Sequence, residues 1–196
     1  MTARRESIAN SAVATGKGDD GTTGLLYGGR VGKDDPRTEA FGSVDEAVAA
    51  LGLARVELVA AELSDLSSLV LRLQRELFVV GAELATNPTA TDRLQDGVTR
   101  VSEAMLEGVE AELARWESAI EMPREFIVPG ETRASAALEL ARAVLRRAER
   151  RIVSLARAEA FGEWLLAYVN RLADLLWVLA RVAEQAEHAA TTRVRT

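Results

Sequence analysis

The strongest constraint in this sequence is the spacing of its apolar residues, which recur three or four positions apart from about residue 43 to residue 189. Such a period is typical of amphipathic α-helices, because it places the apolar side chains on one face. The first stripe consists of Val44, Ala47, Val48, Leu51, Ala54 and Leu58, and the second of Leu66, Leu69, Leu73, Leu77, Val80 and Leu84. Helices with such faces bury them against one another, so the pattern predicts an all-α bundle.

Three further stripes bring the predicted number of helices to five. The third lies between Leu94 and Trp116, the fourth helix is expected at about 132–158, and the fifth at about 162–189. The fifth segment is apolar around most of its circumference, which favours a central place in the bundle. Its polar residues form one narrow stripe, Glu163, Asn170, Asp174, Arg181 and His188. No strand pattern is evident.

Local signals indicate where the helices begin and end. Ser43 and Glu46 have the spacing of a capping box, so the first helix is expected to begin at Ser43. Asp92 is the expected N-cap of the third helix. Asn87-Pro88 is expected to end the second helix, since the residue before proline disfavours the helical conformation.

The length of 196 residues fits a single domain. We expect a flexible N-terminus at 1–14, one domain at 15–189 and a flexible C-terminus at 190–196. Within the domain, 15–42 is expected to be a loop segment that orders on ligand binding, and 43–189 the helical bundle. The sequence has no long uncharged apolar run and no secretory leader pattern in its first residues, so a cytoplasmic protein without a membrane span is expected.

The composition excludes several kinds of site. The chain has no cysteine and one histidine, which excludes a thiolate zinc site, a cysteine nucleophile and a multi-histidine metal site within one chain. A net charge of −6 argues against a surface that coats nucleic acid. The two lysines, Lys17 and Lys33, both lie in the first 33 residues. A genome that favours arginine codons explains this bias, and so does a phosphate site that needs a compact ammonium.

Residues 15–23 read Thr-Gly-Lys-Gly-Asp-Asp-Gly-Thr-Thr and form the first candidate site. Closely spaced glycines let successive backbone N–H groups turn toward one anion, while lysine adds charge and threonines add hydroxyl donors. The segment is not a Walker A loop, because Thr22-Thr23 stands where Lys-Ser/Thr is required. On composition alone, a phosphate site and a flexible glycine-rich tail explain it equally well.

Two groups of polar residues lie on the predicted fourth and fifth helices. Arg142, Arg146 and Glu149 share one face, since they are four and three residues apart. That face borders the apolar stripe, which favours a carboxylate or a phosphate as partner of the two arginines. Asn170 and Asp174 interrupt the mostly apolar fifth helix, and they need hydrogen-bond partners because an unpaired buried polar group costs about 1–3 kcal/mol.

Taken together, these features resemble the PduO-type ATP:cob(I)alamin adenosyltransferases, which transfer the 5′-deoxyadenosyl group of ATP to the cobalt of vitamin B12. The resemblance covers nearly the whole chain and depends on six blocks in the family's order. The blocks are Thr15 to Thr23, Lys33-Asp34-Asp35-Pro36-Arg37, Phe41-Gly42-Ser43-Val44-Asp45-Glu46, Phe126-Ile127-Val128-Pro129-Gly130, Arg146-Arg147-Ala148-Glu149-Arg150-Arg151 and Val169-Asn170-Arg171-Leu172-Ala173-Asp174. The family is a five-helix bundle that forms homotrimers with active sites between subunits, and the resemblance implies the same assembly here.

The resemblance also implies which residues bind ATP. The loop would wrap the triphosphate through Thr15, Gly16, Lys17, Gly18, Asp19, Gly21, Thr22 and Thr23. Lys33 matches the family's lysine near the phosphates. Arg146 and Asn170 match residues that contact ATP, and Glu149 matches a glutamate near the nucleotide. Mg²⁺ is expected to be held mainly by the ATP phosphates.

Other matched residues concern catalysis and the corrin ring. Arg142 matches an arginine that pairs across the subunit interface with an aspartate, which here is Asp45. Phe126 matches an aromatic residue that lies against the lower face of the corrin, and Val128 and Pro129 belong to the same cobalamin-binding loop. In the family, loss of the lower ligand leaves four-coordinate cob(II)alamin, which is easier to reduce. An apolar Phe126 fits that task.

The implied chemistry is a displacement at the 5′ carbon of ATP. Cob(I)alamin is a strong nucleophile, and its attack releases triphosphate. The enzyme must hold the carbon in line and neutralise charge on the leaving group. A metal-centred nucleophile carries no proton to remove, so no general base is needed. The expected partners are ATP, cobalamin, a reductase that supplies cob(I)alamin and a mutase that uses the product.

The chain departs from the family's pattern at several positions. Glu131 follows Pro129-Gly130 where a second glycine is common, Glu139 stands where a histidine is frequent, and Ala173 replaces a serine. Ala47-Val48 follows Asp45-Glu46 where Leu-Asn is usual. Two other functions remain as alternatives: a non-catalytic module that binds adenosylcobalamin and delivers it to a mutase, and a purely structural helical scaffold.

Overall fold

A computed structural model describes residues 11, 13–190 and 192–194 of the chain. Its α-helices within those residues are α1 (Pro36–Ala60), α2 (Ser64–Ala85), α3 (Glu103–Glu117), α4 (Arg133–Ala156) and α5 (Leu165–Ala186). A 3-10 helix, Pro88–Arg93, follows α2, and two short strands, β1 (Thr22–Gly24) and β2 (Arg30–Gly32), precede α1. The predicted helical character is confirmed, while the absence of strands is not.

The first helix begins seven residues before the predicted start, so the prediction of a capping box at Ser43 is wrong. Asp35 is the N-cap, and its carboxylate accepts a hydrogen bond of 2.8 Å from the backbone N–H of Arg37. Pro36 occupies the first turn, where its fixed φ suits a helix and its missing N–H costs nothing. Ser43 lies inside the helix, and its hydroxyl donates to the carbonyl of Glu39. Residues 36–42 therefore belong to the bundle.

The third helix begins later than predicted, and Asp92 does not cap it. Asp92 belongs to the 3-10 helix, and Ser102 is the N-cap of α3. Between the two, Gly97 adopts a φ of +74°, a left-handed conformation that ends helical structure. The side chain of Ser102 accepts a hydrogen bond from the backbone N–H of Met105. The apolar residues from Leu94 to Val101 therefore belong to a loop rather than a helix.

The core lies where α1 packs against α2 and α4, and where α5 packs against α3 and α4. Fourteen of the 22 residues of α5 are buried, as the apolar circumference of this segment predicts. Thr132 caps α4 through its hydroxyl, which accepts from the backbone N–H of Ser135 at 3.1 Å. No helix in the described part of the chain combines the length and the hydropathy that a bilayer crossing requires.

Arg37 joins three segments of the chain through one buried side chain, which is 4% exposed. It donates to the backbone carbonyls of Leu84 and Thr86 at the end of α2. It forms an ion pair with Glu159 in the α4–α5 connection and lies 5.6 Å from the ring centroid of Phe161. Because Arg37 sits two residues after the N-cap of α1, this contact fixes the point at which the N-terminal segment enters the bundle.

We predict that Leu51→Ala lowers the free energy of unfolding by about 2–5 kcal/mol, because a buried leucine leaves a cavity when truncated. Leu51 is 0% exposed in α1. Leu53→Ala, two residues away and 48% exposed, is the matched control and should change stability by less than about 1 kcal/mol. Urea unfolding at one protein concentration measures both. Equal losses for the two variants would contradict the placement of α1.

Candidate functional site

The Thr15–Thr23 loop folds into a compact turn structure ahead of β1. The backbone N–H of Asp19 donates to the carbonyl of Gly16, and that of Gly21 donates to the carbonyl of Gly18. Lys33, which lies between β2 and α1, also bonds to this loop: its backbone N–H donates to the carbonyl of Gly21 at 2.9 Å. The glycines thus serve close turns, which lets the backbone double back over a few residues.

Lys33 lies directly against this loop. A Cβ atom added at Gly18 would lie 3.1 Å from Lys33 Nζ and 3.3 Å from the carbonyl oxygen of Thr22. A side chain at position 18 would therefore displace the ammonium group. Lys33 thus brings a positive charge to a run of turning backbone amides, and its role at the phosphates stays a prediction.

An internal network braces the loop, and its main member, Arg30, was missed by the motif search. The Thr22 hydroxyl donates to Asp20 Oδ1 at 2.8 Å and accepts from Arg30 Nε at 2.8 Å. The Thr22 backbone N–H donates to the same Asp20 oxygen at 2.9 Å, and Arg30 also donates to the carbonyl of Lys17. These bonds from Thr22 lower the pKa of Asp20 below its ordinary value. The threonine hydroxyl thus organises the loop from within.

A β-hairpin attaches the loop to the end of α2. Strands β1 and β2 are antiparallel, with Thr22 opposite Gly32 and Gly24 opposite Arg30. Between them, the backbone N–H of Leu26 donates to the carbonyl of Ala85, and that of Asn87 donates to the carbonyl of Leu26. The sequence signal for this hairpin was the Gly28-Gly29 pair, since adjacent glycines favour the tight turn between strands.

A second group forms where α4 and α5 bring together three predicted residues. Arg146 Nη1 donates to Asn170 Oδ1 at 3.0 Å and lies 2.8 Å from Glu149 Oε2. Arg146 is 44% exposed and Glu149 is 18% exposed. Asn170 is exposed as well. The group presents a guanidinium and an amide to solvent on a rigid pair of helices, which suits recognition of an anionic or polar ligand.

The loop and the α4–α5 group are not bonded to each other within the described residues. Among the described residues, no hydrogen bond or ion pair joins residues 15–33 to Arg146, Glu149 or Asn170. Two other arginines of α4 face α1 instead: Arg147 pairs with Glu46, and Arg151 pairs with Glu39. The residues predicted to contact one nucleotide thus form two sets.

Asp45 and Arg142 have different surroundings. Asp45 is exposed beside an apolar groove of about 430 Å³ between α1 and α2, which is lined by Phe41, Val48 and the 65% exposed Phe78. Arg142 Nε instead donates to Glu139 Oε2 of its own helix at 2.7 Å. Among the described residues, no ion pair joins Asp45 to Arg142, and the expected pair between two subunits stays a prediction.

Phe126 stands on an exposed loop between α3 and α4. It is 88% exposed, and Val128 in the same loop is 44% exposed. The loop pairs with a segment near the C-terminus, since the backbone N–H of Val128 donates to the carbonyl of Thr192 and that of Val194 donates to the carbonyl of Phe126. The remaining residues of the expected flexible ends, 1–10, 12, 191, 195 and 196, lie outside the described residues.

Behind this loop lies a cavity of about 490 Å³ whose lining includes Ile127, Gln185 and the buried Arg181. Arg181 is 1% exposed and lies between two buried carboxylates, Glu139 and Glu184. The sequence reveals these charges but not their burial, which depends on the packing of α4 on α5. Within the described residues, no group of three or more His, Cys, Asp or Glu side chains is placed to hold a metal ion.

Comparisons with known proteins agree on one family. A family model described as Cobalamin adenosyltransferase matches residues 13–183. A protein named cobalamin adenosyltransferase from Cupriavidus metallidurans is 40% identical over 176 residues, which cover 90% of this chain and 90% of that protein. A corrinoid adenosyltransferase from Citrobacter freundii is 37% identical over 173 residues, with coverage of 88% and 94%.

The solved structures give the same result. A variant PduO-type ATP:corrinoid adenosyltransferase from Lactobacillus reuteri, complexed with cobalamin and ATP, superposes with a TM-score of 0.84 at 30% identity. The match covers 93% of this chain and 98% of that one. A second variant of the same enzyme, complexed with ATP, also has a TM-score of 0.84 and 30% identity, and covers 93% of this chain and 100% of that one.

We predict that Thr22→Val raises the pKa of Asp20 toward the ordinary value of 3.8, because the hydroxyl of Thr22 is its main stabilising donor. Since the folded pKa is lowered, the contribution of Asp20 to loop stability is present above pH 3.8 and is lost as the pH falls through the lowered pKa. NMR titration of the Asp20 carboxyl carbon measures the shift, with Thr23→Val as control. An unchanged Asp20 pKa in Thr22→Val would contradict the network.

Proposed function

This chain belongs to the cobalamin adenosyltransferase family, and on that premise we propose that it transfers the 5′-deoxyadenosyl group of ATP to cob(I)alamin, forming adenosylcobalamin and triphosphate. One observation carries the proposal: the family match over residues 13–183 spans both the glycine loop with Lys33 and the Arg146–Asn170 pair. The Lactobacillus reuteri relative is complexed with cobalamin and ATP, which supports both substrates.

The loop and Lys33 would bind the triphosphate. Turning backbone amides and an ammonium group against Gly18 suit the charge that gathers on the leaving phosphate as the 5′ C–O bond breaks. Arg146, whose guanidinium is held by Asn170 and Glu149, would place a second positive charge against the nucleotide. The new bond forms between cobalt and the 5′ carbon, so these residues position the carbon and stabilise triphosphate, and none acts as a base.

The active form would be a homotrimer with sites between subunits. Two observations support it: no hydrogen bond or ion pair joins the two sets of predicted nucleotide contacts within the described residues, and Asp45 lies beside an apolar groove with an exposed phenylalanine. A neighbouring copy that covers this groove would bury Phe78 and bring its own Arg142 toward Asp45. The N-terminal loop would then close on ATP at the junction.

Mg²⁺ would arrive with ATP rather than occupy a site made by protein ligands alone. Mg²⁺ keeps several waters and is usually bound through substrate phosphates and one or two carboxylates. When bound, the ion would neutralise phosphate charge, and Asp19 in the loop is a candidate carboxylate outside the Asp20–Thr22 network.

The direct test supplies the purified protein with ATP, Mg²⁺ and chemically reduced cobalamin, and follows the absorption spectrum of adenosylcobalamin. The proposal predicts catalytic conversion that depends on ATP. A folded protein that binds adenosylcobalamin without converting cob(I)alamin would instead be a delivery module and would overturn the proposal.

We predict that Arg146→Ala lowers kcat about 100-fold or more, because it removes a charge that acts on the transferring nucleotide. The side chain is 44% exposed, so the fold and the melting temperature should change little. Arg150→Ala, an exposed arginine of the same helix, is the control and should retain activity. Unfolding of Arg146→Ala would instead assign Arg146 a structural role.

We predict that Phe126→Ala reduces activity mainly when the reaction starts from cob(II)alamin with a reductant, because the ring would displace the lower ligand of cobalt. Its 88% exposure makes it available for such contact. Val98→Ala, another exposed apolar loop residue, is the control. An equal loss with pre-reduced cob(I)alamin would contradict this role.

A further inference from the structure

Four charged side chains form a line from the interior of α5 to the surface of α4. Arg181 Nη2 donates to Glu184 Oε1 at 2.8 Å, and Arg181 Nη1 donates to Glu139 Oε1 at 3.1 Å. Arg142 Nε then donates to Glu139 Oε2 at 2.7 Å. The first three side chains are at most 5% exposed, whereas Arg142 is 31% exposed. The line thus runs from buried to accessible.

Glu139 is held in one orientation by this arrangement. Its two oxygens have different arginine partners, Oε1 for Arg181 and Oε2 for Arg142. Arg181 cannot turn away, because Glu184, three residues along the same helix, lies 2.7 Å from its Nε atom. A buried carboxylate whose partner is itself fixed has little freedom, since breaking either contact would leave a charge without water or a counter-ion.

The contact with Glu139 determines which edge of Arg142 is presented outward. The guanidinium is planar and rigid, so a bond at Nε sets the direction of the whole group. Within the described residues, the terminal nitrogens of Arg142 form no hydrogen bond or ion pair. The free edge is the pair of donors that binds a carboxylate in a two-pronged manner.

We propose that Glu139 is a positioning residue: it holds Arg142 so that the terminal nitrogens meet the Asp45 carboxylate of a neighbouring subunit. The inference rests on the proposed function, which places that pair at the subunit junction. Charge balance supports it, because Glu184, Arg181 and Glu139 together carry one excess negative charge, and Arg142 neutralises it. The same arginine then has donors left for a second carboxylate.

A double-mutant cycle tests whether Glu139 acts on Asp45 through Arg142. Glu139→Gln keeps the size of the side chain but leaves one arginine facing an amide N–H₂ group. We expect it to lower kcat/KM about 10-fold and to raise the subunit dissociation concentration, measured by sedimentation. In an Asp45→Asn background the same substitution should change either quantity by less than about twofold, because the contact it supports is already gone. Equal losses in both backgrounds would overturn the inference.

Glu184→Gln is the matched control. It removes a buried carboxylate beside Arg181 but does not touch Arg142. Its effect on thermal stability should resemble that of Glu139→Gln, while its effects on activity and dissociation should be the same with and without Asp45→Asn. Coupling of Glu184 to Asp45 as strong as that of Glu139 would show a general loss of packing and overturn the inference.

Two further arms keep the test decisive. If circular dichroism shows that Glu139→Gln is unfolded, Glu139→Asp replaces it, because it keeps the charge yet is one methylene too short to reach both arginines. The double-mutant cycle can be measured through subunit dissociation alone, which needs no catalysis. It therefore reports on Glu139 even if the wild-type protein converts no cobalamin. Failure to convert cobalamin would refute only the proposed function. A wild-type protein that sediments as a monomer overturns the inference.

Discussion

The buried guanidinium of Arg37 is the contact on which the site's placement depends. It ties the first turn of α1 to the end of α2 and to the α4–α5 connection. Burial lowers the pKa of Arg37, but the pKa of an arginine lies so far above neutral pH that the side chain keeps its charge. Loss of these contacts would leave a buried charge without its partners, which is strongly destabilising. Because β2 lies four residues before α1, this anchor also fixes where the hairpin and its glycine loop attach to the bundle.

The predicted site residues belong to two sets of structural elements. The loop and Lys33 are attached to α1 and α2, whereas Arg146 and Asn170 belong to α4 and α5. Each set is well supported by its own network, Asp20–Thr22–Arg30 on one side and Arg146–Glu149 on the other. A single chain therefore holds both sets in a prepared form, and in the proposed homotrimer a nucleotide at the junction would touch one set from each of two chains.

The sequence predicted most of the helices because their apolar period is long and regular, as in the stripe from Leu66 to Leu84. It failed at helix starts where two caps compete: Asp35-Pro36 begins α1, although Ser43 and Glu46 have capping-box spacing. The prediction of Asp92 as a cap is wrong because the Asp96-Gly97 dipeptide, a local turn signal, interrupts the following segment. The motif blocks identified the loop, Lys33 and Arg146. They did not identify Arg30 or the Glu139–Arg181 contact, because pairs distant in sequence depend on packing.

Subunit complementation measures most directly whether the nucleotide site is completed between chains. Lys33→Ala and Arg146→Ala damage opposite halves, so each variant alone should be nearly inactive. When the two are dissociated and reassembled in equal amounts, random assembly places an intact loop against an intact Arg146 at about one junction in four. We predict recovery of about a quarter of wild-type adenosyl transfer on this basis. A mixture no more active than its components would contradict the account.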